Sequence, residues 1–210
     1  MATIAEAHAR VLADVLEALG TVGAGHALMG GHASAYFGRG RATTDVDLLV
    51  SRCFVEKIKA ELEQRGYVVA EFRYLLKVYD RGDPTSLCDL VMQETNSVLR
   101  AAFLATTPAV ILGLPVNVVR RGALVALKFQ AATDRRRKSK DKLRDVMDIR
   151  AILQNGFGAP DKRLALELAA QMYPRAPADL ESLIAALSNG RWPRVVRRTS
   201  GGSRWLLRRR

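Results

Sequence analysis

Apolar residues recur at Ile4, Val11, Leu12, Val15 and Leu19, a spacing that predicts an amphipathic helix over residues 4–19, stopped by Gly20. His26–Met29 is a short apolar run ending in Gly30-Gly31 and reads as a strand. A short helix is expected from about His32 to Phe37, then a loop over Gly38-Arg39-Gly40-Arg41. Asp45–Val50 reads as a strand with Val46, Leu48, Leu49 and Val50 apolar. Residues 53–65 predict a helix with Phe54, Ile58 and Leu62 on one side, closed by Gly66. Tyr67–Phe72 and Tyr74–Tyr79 read as paired strands, Asp80–Pro84 as a turn, and Leu87–Met92 as a further strand. A helix near 96–104 and short strands near 109–112 and 116–119 complete this half.

Beyond residue 120 the pattern turns helical. Gly122–Ala132 and Asp141–Leu153 predict helices, with a basic segment between them. Asn155–Pro160 reads as a linker, and Leu164–Met172 and Ala178–Leu187 as two more helices. On the Asp141–Leu153 helix, Asp141, Asp145 and Asp148 fall at i, i+4 and i+7, on the side opposite Leu143, Val146 and Ile149.

A chain of 210 residues with 49% apolar and 26% charged positions can bury its own core, which excludes collagenous, coiled-coil and wholly disordered classes. Cys53 and Cys88 make no disulfide framework, so a reducing, cytoplasmic setting is expected. Three histidines and two cysteines leave little for a structural zinc site. Glu6 and Asp14 inside the first helix argue against a signal peptide. The uncharged run Ala101–Val119 contains Pro108, Gly113, Pro115 and Asn117, so strand and turn are expected there, and no membrane association.

Charge changes the picture more than composition does. The net charge is +12, and it is concentrated. Arg191–Arg210 holds eight arginines and no acid, and Ala131–Arg144 holds seven basic residues against Asp134 and Asp141. The remainder is close to neutral, so a polyanion such as nucleic acid is an expected partner. Trp192 and Trp205 lie among the tail arginines, a composition suited either to stacking bases or to a flexible tail.

The candidate chemistry lies in Gly30-Gly31-His32-Ala33 and in the stretch Arg41-Ala42-Thr43-Thr44-Asp45-Val46-Asp47-Leu48. Side chains alternate along a strand, so Asp45 and Asp47 project to one side. Two carboxylates side by side repel unless a cation lies between them, and hard oxygen donors suit Mg²⁺. Asp89 lies in the later strand Leu87-Cys88-Asp89-Leu90-Val91. If that strand pairs beside the Asp45 strand, three carboxylates meet, enough for in-line displacement at phosphorus with metals about 4 Å apart. Asp89 is then either a ligand or the base for the attacking hydroxyl. Glycines between strand and helix let backbone N–H groups approach a phosphate. A P-loop signature is absent.

The combination Gly30-Gly31, Arg41-x-Thr43-x-Asp45-x-Asp47 and a later strand aspartate, Asp89, resembles the DNA polymerase beta-like nucleotidyltransferase superfamily. Its form is similar to the AbiEii and MenT-type branch, which includes bacterial toxins of toxin–antitoxin systems; the resemblance spans roughly residues 20–155. It implies an α+β fold, with a mixed β-sheet flanked by helices followed by a mostly helical C-terminal part. The expected divisions are a catalytic core over 1–120, a helical part over 121–190 and a flexible basic tail over 191–210. It implies Mg²⁺ on Asp45, Asp47 and Asp89, and NTP phosphates near Gly30 and Gly31, with Ser34, Arg41 and Thr43 contributing. Leu127-Lys128 and Lys140-Asp141 followed by Asp145 resemble a downstream feature of the branch, which puts Lys128, Asp141 and Asp145 at the nucleotide. The activity implied is NMP transfer from an NTP to RNA, with a tRNA end as acceptor and an antitoxin as partner. A small-molecule or protein acceptor, and a non-catalytic nucleic-acid-binding module, are the competing expectations.

Overall fold

The first apolar stripe forms helix α1 (Ile4–Thr21), which buries Val11, Leu12, Val15 and Leu19, and also His8. Thr3 and Glu6 cap its start reciprocally: the Glu6 N–H donates to Thr3 Oγ1 at 3.2 Å and the Thr3 N–H to Glu6 Oε2 at 2.6 Å. Gly20 does not stop this helix as expected. The chain turns at Gly23, whose φ of +69° suits a residue without Cβ, and the Ala24 N–H closes back on Leu19 O at 2.8 Å.

In this computed structural model, residues 3–38, 43–81, 85–194 and 206–207 are described, and they divide into two units. The first comprises the described parts of Met1–Tyr36 and Arg41–Val119, and the second those of Phe37–Gly40 and Arg120–Arg210.

The first unit is built on a seven-stranded sheet. Its strands are β1 (His26–Met29), β2 (Val46–Val50), β3 (Val68–Phe72), β4 (Leu75–Tyr79), β5 (Ser86–Met92), β6 (Thr106–Ile111) and β7 (Leu114–Val119). They lie in the order β3-β4-β5-β2-β1-β7-β6. β2 pairs parallel with β5, and β1 parallel with β7; the other neighbours are antiparallel. Leu48 and Leu49 point to opposite faces of β2 and both are fully buried, so the centre of the sheet is covered on both sides. Helices α2 (Gly30–Phe37), α3 (Val55–Gln64) and α4 (Ser97–Leu104) lie between the strands. α1 packs on α3 and along β5 and β7, and α4 on β1 and β2. The expected α+β fold with a mixed sheet is the observed one.

Two local expectations are corrected here. The glycine pair, expected between the strand and a helix from about His32, is itself the first turn of α2. The last two strands begin earlier than expected, because β6 and β7 form a hairpin over a two-residue turn. Its residues, Leu112 and Gly113, have φ of +54° and +80°, the mirror-image turn that matches strand twist.

The second unit is helical: α5 (Arg121–Thr133), α6 (Ser139–Gln154), α7 (Ala159–Ala169) and α8 (Ala176–Ser188). Gly122 lets α5 meet α7 closely, since a Cβ there would come within 2.3 Å of Asp161 O. α7 starts within the expected linker, because Pro160 fits a helix's first turn, where no N–H is needed.

The three-aspartate face of α6 is also corrected. Asp145 and Asp148 are buried together with Val146, Ile149 and Ile152, whereas Leu143 and Met147 are exposed. Of the 191–210 tail, residues 191–194 and 206–207 are described: Pro193–Arg194 pairs antiparallel with Leu206–Leu207, and Arg150 stacks on the Trp192 ring at 4.7 Å. Trp205 and the remaining tail arginines lie outside the described residues.

The left-handed Leu112 is a strained choice, since a Cβ there crowds the backbone at a cost of about 1–2 kcal/mol. Leu112→Asn, which creates the favoured Asn-Gly turn, is expected to raise unfolding stability by about 1 kcal/mol in urea denaturation, with no change in slope.

Candidate metal and nucleotide site

Strand register places the acids. Asp47 on β2 lies directly beside Asp89 on β5, and Lys77 on β4 lies across from Asp89 on its other side. Met29 of β1 pairs with Asp47. Lys77, Asp89, Asp47 and Met29 therefore form one row across the sheet, and Asp45, two residues before Asp47, projects to the same face. Carboxylate oxygens of Asp45, Asp47 and Asp89 all lie within 4.8 Å of one another, and all three residues are half-buried. The expectation that the two strands bring three carboxylates together is met. Hard oxygens at this spacing fit a divalent cation.

The glycine pair has a steric reason beyond phosphate approach. A Cβ on Gly30 would fall 1.8 Å from Asp47 Oδ2, and one on Gly31 would fall 2.2 Å from Thr43 Oγ1. Gly30 also adopts a φ of +66°, which glycine takes without strain. The absent side chains make room for Asp47 and Thr43 over the start of α2.

The other expected residues divide in three. Thr43 is 3.3 Å from Asp45 O and 3.4 Å from Asp45 Oδ1, so it steadies the acid as it enters the cluster. Ser34 is buried, and its hydroxyl donates to Gly30 O at 2.8 Å, holding the glycine turn. Arg41 lies outside the described residues.

Lys128, Asp141 and Asp145 belong to the second unit. Lys128 is buried on α5 and bridges Asp145 at 3.3 Å and Asp148 at 2.8 Å on α6. Arg137 pairs with the other Asp145 oxygen at 2.8 Å. Burial pushes the Asp145 carboxyl above its ordinary value, against the pull of Lys128 and Arg137. Asp141 is half-buried and faces Arg144 at 3.8 Å.

Sequence reasoning missed Lys77. Its ammonium donates to both oxygens of Asp89, at 3.0 and 2.8 Å. Burial would lower its pKa, but the hydrogen bond and charge of Asp89, helped by Tyr79 and Asp45, raise it overall. It also missed His8, buried on α1, whose Nδ1 lies 3.2 Å from Nε2 of His32 on α2. Burial first, and then the His8 charge, pull His32 down to about 4, against the field of Asp45.

A family model described as "Nucleotidyl transferase AbiEii toxin, Type IV TA system" matches residues 88–200, just over half of the chain. The match takes in Asp89, Lys128, Asp141 and Asp145, and begins after Asp45 and Asp47. The solution structure of the antibiotic-resistance factor ANT(2'')-Ia is similar at a TM-score of 0.54 and 17% identity, over 87% of this chain and 95% of that one. A nucleotidyltransferase-like antigenic protein from Paracoccidioides brasiliensis is similar at 0.51 and 19%, over 83% and 91%. Both likenesses concern the fold. A search of curated proteins finds no match.

Two predictions follow from the contacts around α2. Gly30→Ala is expected to displace the Asp47 carboxylate, weakening Mn²⁺ binding at least roughly tenfold and costing about 1–3 kcal/mol of stability. Gly113→Ala is the control: φ is also positive, but a Cβ there meets open space, so stability falls while Mn²⁺ affinity holds. Isothermal titration and urea unfolding of both variants check this. For His32, the folded pKa lies below the unfolded value near 6.5, so its contribution is complete above pH 6.5 and lost as pH falls towards 4. His32→Gln is expected to flatten the stability–pH curve in that window by about 1–2 kcal/mol, after discounting for partial exposure.

Proposed function

This chain belongs to the AbiEii nucleotidyltransferase toxin family, and from that premise we propose that it transfers an NMP from an NTP to a hydroxyl on RNA, with a tRNA end as acceptor. The observation that carries the reading is the Asp45, Asp47 and Asp89 cluster, whose carboxylate oxygens lie within 4.8 Å of one another beside the Gly30 turn.

On this reading Asp45 and Asp47 hold Mg²⁺ with Asp89 as third carboxylate. When bound, the cation neutralises triphosphate charge and favours the ionised form of the attacking hydroxyl. The acceptor oxygen bonds to the α-phosphorus, the bond from that phosphorus to the bridging oxygen breaks, and pyrophosphate leaves. A carboxylate oxygen of Asp89 takes the hydroxyl proton. Backbone N–H groups at Gly30 and Gly31 orient the phosphates, Ser34 keeps Gly30 in place and Thr43 steadies Asp45. Arg41 is a further proposed nucleotide contact.

The RNA acceptor is supported by charge. Arg135, Arg136, Lys138 and Lys140 are all exposed where α5 gives way to α6, the arrangement a phosphate backbone needs. Transfer to tRNA ends would arrest translation in the cytoplasm, and the type IV toxin–antitoxin membership makes an antitoxin the expected counterpart.

The test is a transfer assay with each of four α-labelled NTPs, Mg²⁺ and total bacterial RNA, beside the Asp45→Ala/Asp47→Ala protein. Label is expected in a tRNA-sized band, absent in the double variant, and reduced at least roughly tenfold between 50 and 200 mM salt. No label in RNA, with the NTP still bound in a Mg²⁺-dependent way, would transfer the reading to a small-molecule or protein acceptor. RNA binding without transfer, unaffected by the double substitution, would leave a non-catalytic module.

A further inference from the structure

Three carboxylates whose oxygens lie within 4.8 Å of one another repel. We propose that Lys77 is a positioning residue that sets a positive charge from the protein itself against this repulsion, fixing Asp89 in line with Asp45 and Asp47. The inference rests on the reading of this cluster as a divalent-cation centre.

Three features of the structure carry it. Lys77 Nζ meets both Asp89 oxygens, at 3.0 and 2.8 Å, so it fixes the plane of the carboxylate as well as its distance. The pair is also built into the sheet: Lys77 and Asp89 are register partners between β4 and β5, and Asp47 is the next residue in the same row. Finally, the lysine's neighbours along the strand, Leu76 and Val78, are fully buried, so β4 has no freedom to turn Lys77 away from Asp89. A lysine with 31% of its side chain exposed has water within reach, yet here it faces inward onto an acid that is 15% exposed.

The arrangement has a consequence that a purely structural ion pair would not have. Lys77 and the cation compete for Asp89. While Lys77 is present, Asp45 and Asp47 carry most of the cation's binding, and Asp89 keeps the orientation that Lys77 gives it. Removing the charge frees Asp89 to close on the cation. The centre then binds metal more tightly and works more slowly.

The experiment is Mn²⁺ titration of the full chain by electron paramagnetic resonance, with the metal alone as probe. Wild type, Lys77→Met and Lys77→Arg are compared, together with their thermal melts. Lys77→Met is expected to bind Mn²⁺ roughly tenfold more tightly or better, and Lys77→Arg to stay near wild type. In the transfer assay the expected kcat of Lys77→Met falls by at least roughly tenfold, while KM for the NTP stays within about twofold. Should Lys77→Met melt early, Lys77→Gln carries the same prediction, because it keeps a hydrogen-bond donor and drops the charge. Unchanged or weaker Mn²⁺ binding in the charge-free variants, beside a wild type that binds, overturns the role of Lys77 alone. A wild type that binds no Mn²⁺ at millimolar concentration overturns the cation centre, and the inference with it.

Discussion

The register between β2 and β5 is the constraint on which the site depends. A strand slipped by one residue sends every side chain to the other face, and Asp47 would leave Asp89 behind. What prevents the slip lies in the core. Val46, Leu48, Leu49 and Val50 on β2, with Cys88, Leu90 and Met92 on β5, are all buried, so an altered register would expose apolar side chains along both strands. The burial that holds the sheet together also sustains the repulsion among the acids. A cluster of this kind sits safely only on strands whose neighbours on either side are committed to the interior.

Room for the acids comes from an absence. Gly30 and Gly31 begin α2 without side chains, and the space goes to Asp47 and Thr43. Ser34, one turn later, ties its hydroxyl back to Gly30 O, and the part-buried His8–His32 contact joins the same turn to α1. The glycine pair is thus the recess in which Asp47 and Thr43 lie and, on the proposed reading, the backbone surface for a phosphate. A substitution that blocked one of these functions would block the other.

How much was legible in the sequence depended on the distance over which the information was carried. α1, α3, β2 and β5 announced themselves by local periodicity, and the Gly-Gly and Asp-x-Asp spacing pointed to the acids. Asp89 was legible only on the condition that two strands paired, which a seven-stranded sheet then satisfied. Lys77 was not legible. A lone lysine in an alternating strand reads as solvent-facing, and its partner is set by a pairing that no local pattern encodes. The α6 aspartates misled for the same reason. Their i, i+4, i+7 spacing set them on the side opposite Leu143, Val146 and Ile149, because the countercharge, Lys128, lies on another helix and leaves no mark on the local pattern. Periodicity reports polarity, and it cannot tell a solvated charge from one whose partner arrives in three dimensions.

The chain thus holds two acid clusters with opposite electrostatic solutions. In the second unit, Asp145 and Asp148 are 1% and 5% exposed, and cations built into the fold meet them: Lys128 between the two, and Arg137 on Asp145. Deep burial of charge is tolerable when its compensation is permanent, because the pair is then desolvated as a unit. In the first unit, Asp45, Asp47 and Asp89 are half-buried, and Lys77 offsets one acid of the three. Full compensation from within would leave nothing for a ligand to neutralise, and full burial would keep the ligand out. Partial exposure leaves these carboxylates where a small cation can reach them. Accessibility is what separates the first-unit acids from the deeply buried acids of the second unit.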